Sequence, residues 1–178
     1  MIEAQVGNKL VGDGHKCFIS FEPGGTHTGL ESAKKLAKAA AEAGADAVKF
    51  QTIEADEIMG SKDLMVEYET PQGTKEESIY KALKRREMSF EEWRELKKYC
   101  DDLGILFIST PSGPRTVDLL ADINVAAIKV SKSDINNDKN VFSYNFSQSG
   151  KNRTLWIVGY DSSDNILKIN KQKIDVLN

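Results

Sequence analysis

Hydrophobic positions along the chain follow two rhythms that take turns. Short apolar runs with polar ends, "CFISFE" (17–22), "AVKFQ" (47–51), "ILFIST" (105–110) and "AAIKVS" (126–131), read as strands, whose side chains alternate between two faces. Between them lie stretches of helical spacing. In "LESAKKLAKAAAEAGA", Leu30, Ala33, Leu36, Ala37 and Ala40 share a stripe, and Gly44 marks the stop. Ser89 and Glu92 of "SFEEW" form a capping box for a helix running to about Leu103, with Gly104 beyond. Pro114 opens a further helix in "PRTVDLLADI", and "EESIYKALKRRE" also reads as helical. At the N-terminus, Gly7-Asn8 and Asp13-Gly14 break short apolar pieces into a hairpin. Residues 53–75 are polar and irregular and read as a long loop. Strand and helix alternate with short turns, which predicts an α/β fold with parallel strands.

The pattern stops near Asn137. Residues 1–135 hold 14 Ala, 14 Glu and 2 Asn, whereas 136–178 hold no Ala, no Glu and 8 Asn. A hairpin around Asp161–Asn165 fits "TLWIVGYDSSDNILKINK", and no helix is visible there. The expected organisation is a hairpin at 1–16, an α/β body at 17–137 and a divergent tail at 138–178.

Composition narrows the class. With 24 Lys plus Arg against 27 Asp plus Glu, net −3, the chain is not built around nucleic acid or a polybasic membrane contact. No apolar run approaches the ~20 residues of a membrane span, and the first residues have no signal-peptide layout. Cys17 and Cys100 stand alone, without metal spacing, which suits buried thiols of a reducing compartment. The expectation is a cytoplasmic protein with small-molecule partners.

Candidate chemistry gathers at the ends of the strands. Lys49 and Gln51 share a face of "AVKFQ", Ser20 and Glu22 of "CFISFE", Ile108 and Thr110 of "ILFIST", and Lys129 and Ser131 of "AAIKVS". In parallel α/β folds ligands bind at the C-terminal rim. Two lysines there suit an anion carrying phosphate or carboxylate, and Glu22 and Asp134 supply carboxylates for acid–base work or for holding hydroxyls. Glu22 and Lys49 suit a structural ion pair equally well. His27 in its glycine-rich loop reads as a surface residue, and no His, Cys or carboxylate set has metal spacing.

Taken together, "CFISFEPGGTHTG", "AGADAVKFQT", "MSFEEWRELKKYCDDLGILFISTP" and "AAIKVSKSDINN" resemble, in order, four blocks of the sialic acid synthase family, over roughly residues 5–137. The resemblance implies a TIM-type (β/α) barrel, here truncated to about four βα units behind the N-terminal hairpin. It implies condensation of phosphoenolpyruvate with an N-acetylated amino sugar such as N-acetylmannosamine, releasing phosphate. It places Lys49, Thr110 and Lys129 on phosphoenolpyruvate, Glu22 and Gln51 on the sugar, and Asp134 as an acid–base carboxylate. It also implies a divalent metal, manganese or magnesium, whose histidine ligands lie on later strands than this chain supplies.

The sequence departs from the family pattern at named positions. Thr26 replaces an Asn, Thr74 stands where a sugar-loop Asn is common, and "TPSGP" lacks a Phe after its first Pro. In "SKSD", Lys132 and Ser131 stand where a phosphate-binding Ser-Gly-acid pattern is usual. Two alternatives follow: a non-catalytic fragment that at most binds phosphoenolpyruvate or a partner, and a related synthase for a phosphorylated sugar, which Lys132 would suit. Four parallel strands in chain order would leave open edges, to be covered by the tail or by a homodimer. Catalysis by this chain alone is not expected.

Overall fold

The computed structural model describes residues 3–131 and the backbone of two further strands, 153–160 and 166–174. Contacts divide the chain into two units, Met1–Val130 and Ser131–Asn178, each described by itself.

The first unit opens with strands β1 (Glu3–Val6) and β2 (Lys9–Gly12), an antiparallel hairpin. Its turn favours glycine by its backbone conformation. Gly7 has φ +59°, and a Cβ there would stand 2.7 Å from Leu106. Lys9 pairs with Asp46 at 3.0 Å, and Asp46 also accepts the Ile19 N–H at 3.0 Å. These contacts fasten the hairpin beside the N-terminal ends of the central strands.

Those strands are β3 (Ser20–Gly24), β4 (Ala47–Thr52), β7 (Leu106–Pro111) and β8 (Ala127–Ile128). They are parallel and lie side by side in chain order. Helix α1 (Leu30–Glu42) connects β3 to β4, α4 (Phe90–Asp102) precedes β7, and α5 (Pro114–Asp122) connects β7 to β8. One face of the sheet carries the core. Val48, Phe50 and Phe107 pack against Ala33, Ala37 and Ala40 of α1, Trp93, Leu96 and Cys100 of α4, and Leu119 and Leu120 of α5. The alanine stripe of α1 lets that helix approach the sheet closely. Both hydrogen bonds of the expected capping box at Ser89 and Glu92 are present and start α4 so that Trp93 faces inward. Phe50, Trp93 and Phe107 meet ring to ring at 5.8–6.3 Å.

Residues 53–75 are not the plain loop expected. They contain α2 (Ala55–Ile58) and β5 (Met65–Thr70), which pairs antiparallel with β6 (Gly73–Ser78). This ribbon is exposed on both faces along most of its length, so it has no apolar alternation to betray it. Helix α3 (Ile79–Lys84) is shorter than the helical reading of "EESIYKALKRRE", because Glu76–Ser78 finish β6 and the Ser78 hydroxyl caps α3 by accepting the Lys81 N–H. The first central strand also begins later, at Ser20 instead of Cys17.

In the second unit, β9 (Arg153–Tyr160) and β10 (Ile166–Ile174) form an antiparallel pair joined through 161–165, the hairpin expected of that segment.

Candidate functional site

Strand register decides which polar groups meet. Lys49 lies beside Ile108, Gln51 beside Thr110, and Ile108 beside Ala127. These residues share the face turned away from the helices. Lys129, two residues past Ala127, shares it too, and its N–H donates to the Ser109 carbonyl at 2.9 Å. Because Phe21 pairs with Val48, the next residue, Glu22, stands beside Lys49, and the two side chains form an ion pair. Five of the expected site residues, Glu22, Lys49, Gln51, Thr110 and Lys129, are thus gathered on one face at the C-terminal ends of parallel strands. Ser131 is half-buried and belongs to the second unit; Lys132 and Asp134 lie outside the described residues.

The environments differ within this set. The Lys49 side chain is 11% exposed while that of Glu22 is 58% exposed, so the ammonium is held deep and its counter-ion reaches it from solvent. The Thr110 hydroxyl is buried and makes no hydrogen bond among the described residues. Glycine brings the β3–α1 loop onto this end: a Cβ on Gly25 would stand 2.8 Å from Ile53 and 3.0 Å from Gln51 Oε1. In that loop the Thr26 hydroxyl donates to the Pro23 carbonyl at 2.8 Å. On the other face, Thr52 and Ser109 share a hydrogen bond of 2.7 Å, and Ser109 donates to the Phe50 carbonyl at 3.1 Å. These hydroxyls lock β4 to β7 just beneath the rim.

His27 is a correction. It is fully buried, edge-on to Trp93 at 5.4 Å and Phe50 at 5.8 Å. Burial lowers its pKa below the ordinary 6.5, partly opposed by the nearby Arg86 and Gly24 carbonyls, although neither ring nitrogen makes a hydrogen bond of ordinary geometry among the described residues. The loop folds back over the core, so a histidine that reads as a surface residue becomes a core ring.

A second rim cluster was not legible. The Glu57 carboxylate sits on the first turn of α5, accepting the Arg115 N–H at 2.9 Å and the Ser112 and Thr116 hydroxyls at 3.4 Å. Glu54 pairs with the Arg115 guanidinium at 2.8 Å. A carboxylate at a helix N-terminus is favourable, and here it ties the segment after β4 to the segment after β7. Gly113 makes room, since a Cβ there would lie 2.7 Å from the Glu57 carboxyl. The sequence marks only the helix start, at Pro114.

The metal that the resemblance implies does not fit this donor set. Among the described residues no group of three or more His, Cys, Asp or Glu could hold an ion. Glu22 is engaged with Lys49, and His27 is enclosed by rings.

A parallel α/β sheet with helices packed on one face and charged groups on the C-terminal rim of the other defines a class of small-molecule-binding folds. This chain belongs to the NeuB family, which it matches over residues 36–151. It is 37% identical over 132 residues to N,N'-diacetyllegionaminic acid synthase of Legionella pneumophila, covering 74% of this chain and 37% of that one. With human N-acetylneuraminate-9-phosphate synthase it shares 34% identity over 166 residues, 90% of this chain and 44% of the relative. The crystal structure of N-acetylneuraminic acid (sialic acid) synthetase from Leptospira borgpetersenii in complex with citrate superposes with a TM-score of 0.62 at 29% identity, covering 75% of this chain and 42% of that one. The chain therefore spans less than half the length of these relatives.

Proposed function

We propose that this chain carries the phosphoenolpyruvate-binding part of a nonulosonate synthase, as a partial TIM-type barrel of four βα units working in the cytoplasm. The observation that carries this reading is the shared face of Lys49, Gln51, Thr110 and Lys129 at the C-terminal ends of neighbouring strands. Lys49 and Lys129 neutralise the anion as point charges, and the Thr110 hydroxyl, buried without a partner among the described residues, donates to it. Glu22 holds the Lys49 ammonium in place beforehand and turns to the sugar hydroxyls with Gln51 when the anion arrives. The family resemblance gives Asp134 the acid–base role and Ser131 and Lys132 a phosphate-binding role. In the full reaction the enol carbon of phosphoenolpyruvate forms a C–C bond to the sugar aldehyde. Water then adds to the oxocarbenium carbon, and inorganic phosphate leaves. The citrate in the Leptospira synthetase, a small polyanion, is of the ligand class that such a rim suits.

A second reading, binding without turnover, is favoured by the absence of a fitting metal donor set among the described residues. Nothing there polarises the sugar aldehyde, and the exposed Glu22 and Lys129 act in water, where their charges are weak. Calorimetric titration of phosphoenolpyruvate into the whole chain tests the proposal. Lys49→Met is expected to weaken binding by about 1–3 kcal/mol, the range for a charge-assisted hydrogen bond. No binding by the wild type, or equal binding by the variant, would sink it. Phosphate release from phosphoenolpyruvate with N-acetylmannosamine and manganese is expected to stay at background; release that depends on both substrates would overturn the second reading.

A further inference from the structure

The four-stranded sheet ends in two unlike edges. β3 has one neighbour, β4, and β8 has one neighbour, β7, among the described residues. Unpaired strand edges are templates for another strand, and parallel edges want a parallel partner. On the face that the helices cover elsewhere, β3 and the residue before it leave Ile19 57% and Phe21 40% exposed. On the opposite face the two edges carry opposite charges: Glu22 at β3, and Lys129 just beyond β8, exposed and without an ion-pair partner among the described residues.

We propose that two copies of this chain pair edge to edge, β8 of each beside β3 of the other, and close one eight-stranded parallel barrel. Eight strands is the number at which side chains just fill the interior of such a barrel. A two-fold axis along the barrel keeps every strand parallel, and makes the two seams identical. In each seam Lys129 of one copy faces Glu22 of the other, so the two rims meet across the seam. Ile19 and Phe21 stand on the outer face of the same seam. The charge complementarity selects a second copy over an unrelated strand. The inference rests on the edges of the sheet and stands apart from the reaction proposed above.

The test needs no substrate. Sedimentation equilibrium of the whole chain is expected to give twice its 19.7 kDa mass. Lys129→Glu sets two carboxylates across each seam, and Glu22→Lys sets two ammoniums there. Each variant alone is expected to dimerise at least about tenfold more weakly. Mixed together, they form a heterodimer in which one seam is native and the other has its charges exchanged, so dimerisation returns. Phe21→Asp charges the same edge without touching the rim, and is expected to yield a monomer with unchanged far-ultraviolet circular dichroism. A wild-type monomer at high concentration overturns the proposal, as does a dimer that neither charge reversal weakens or that mixing does not rescue. Either outcome leaves the phosphoenolpyruvate titration to be judged by itself.

Discussion

Two faces of a single strand behave as different materials. Val48 and Phe50 of β4 are fully buried under α1 and α4, while Lys49 and Gln51, one residue away from each, stand on the face without helices. The covered face obeys packing rules in its aromatic rings, its alanine stripe and its mutually bonded hydroxyls, with His27 as an exception, its ring nitrogens enclosed by Trp93 and Phe50 without a hydrogen bond among the described residues. The open face breaks them, with a deep ammonium held from solvent by Glu22 and a buried hydroxyl without a hydrogen bond among the described residues. Residues that depart from fold-making rules concentrate where function is expected. The contrast says that stability is made on one side of the sheet and given up on the other.

The most damaging way to test that division is Trp93→Ala. Trp93 is fully buried between Phe50, Phe107 and His27, and its loss leaves a cavity that helix and sheet cannot close together. We expect a loss of about 3–5 kcal/mol in urea unfolding. A loss under about 1 kcal/mol would mean that the covered face is not what holds the unit together.

The sequence was legible where periodicity and capping agree. The stripe Ala33, Ala37, Ala40 and the box at Ser89 and Glu92 announce α1 and α4, and the polar ends of four strands announce the shared face of Lys49, Gln51, Thr110 and Lys129. What stayed hidden depends on tertiary folding. The β5–β6 ribbon is wet on both sides, and at its centre Glu67 stands opposite Glu76, so neither hydrophobic alternation nor charge pairing marks it. Glu57 caps a helix that starts 57 residues further on, at Pro114, a distance no local motif spans. His27 becomes a core residue only because its loop turns inward over Phe50.

His27 offers a smaller effect, set by pH. Its folded-state pKa lies below the ordinary 6.5 because burial disfavours the imidazolium. The unfolded chain therefore takes up a proton that the folded chain refuses. Its contribution is full above about pH 6.5, the unfolded value. It is lost as pH falls through the folded value. Urea midpoints at pH 7.5 and 5.5 should fall further apart in the wild type than in His27→Leu. Equal losses in the two proteins would assign the acid sensitivity to other groups and leave His27 as packing alone.

The finest probe is one atom on the open face. Thr110 Oγ1 is buried with no hydrogen-bond partner among the described residues, and a hydroxyl in that condition costs about 1–3 kcal/mol of desolvation. Valine has nearly the same shape and nothing to desolvate. On the covered face, removing a hydroxyl such as that of Ser109, bonded to Thr52 and to the Phe50 carbonyl, should destabilise. At Thr110 the sign should reverse, with Thr110→Val as stable as the wild type or more stable by up to about 1 kcal/mol. If the hydroxyl is kept for an anion, the same variant should bind phosphoenolpyruvate more weakly, by roughly 0.5–1.5 kcal/mol. Stability and affinity would then move in opposite directions from a single change. A variant that loses stability would show instead that the hydroxyl is satisfied, through a water bridge for example, and that the open face gives nothing up at this position.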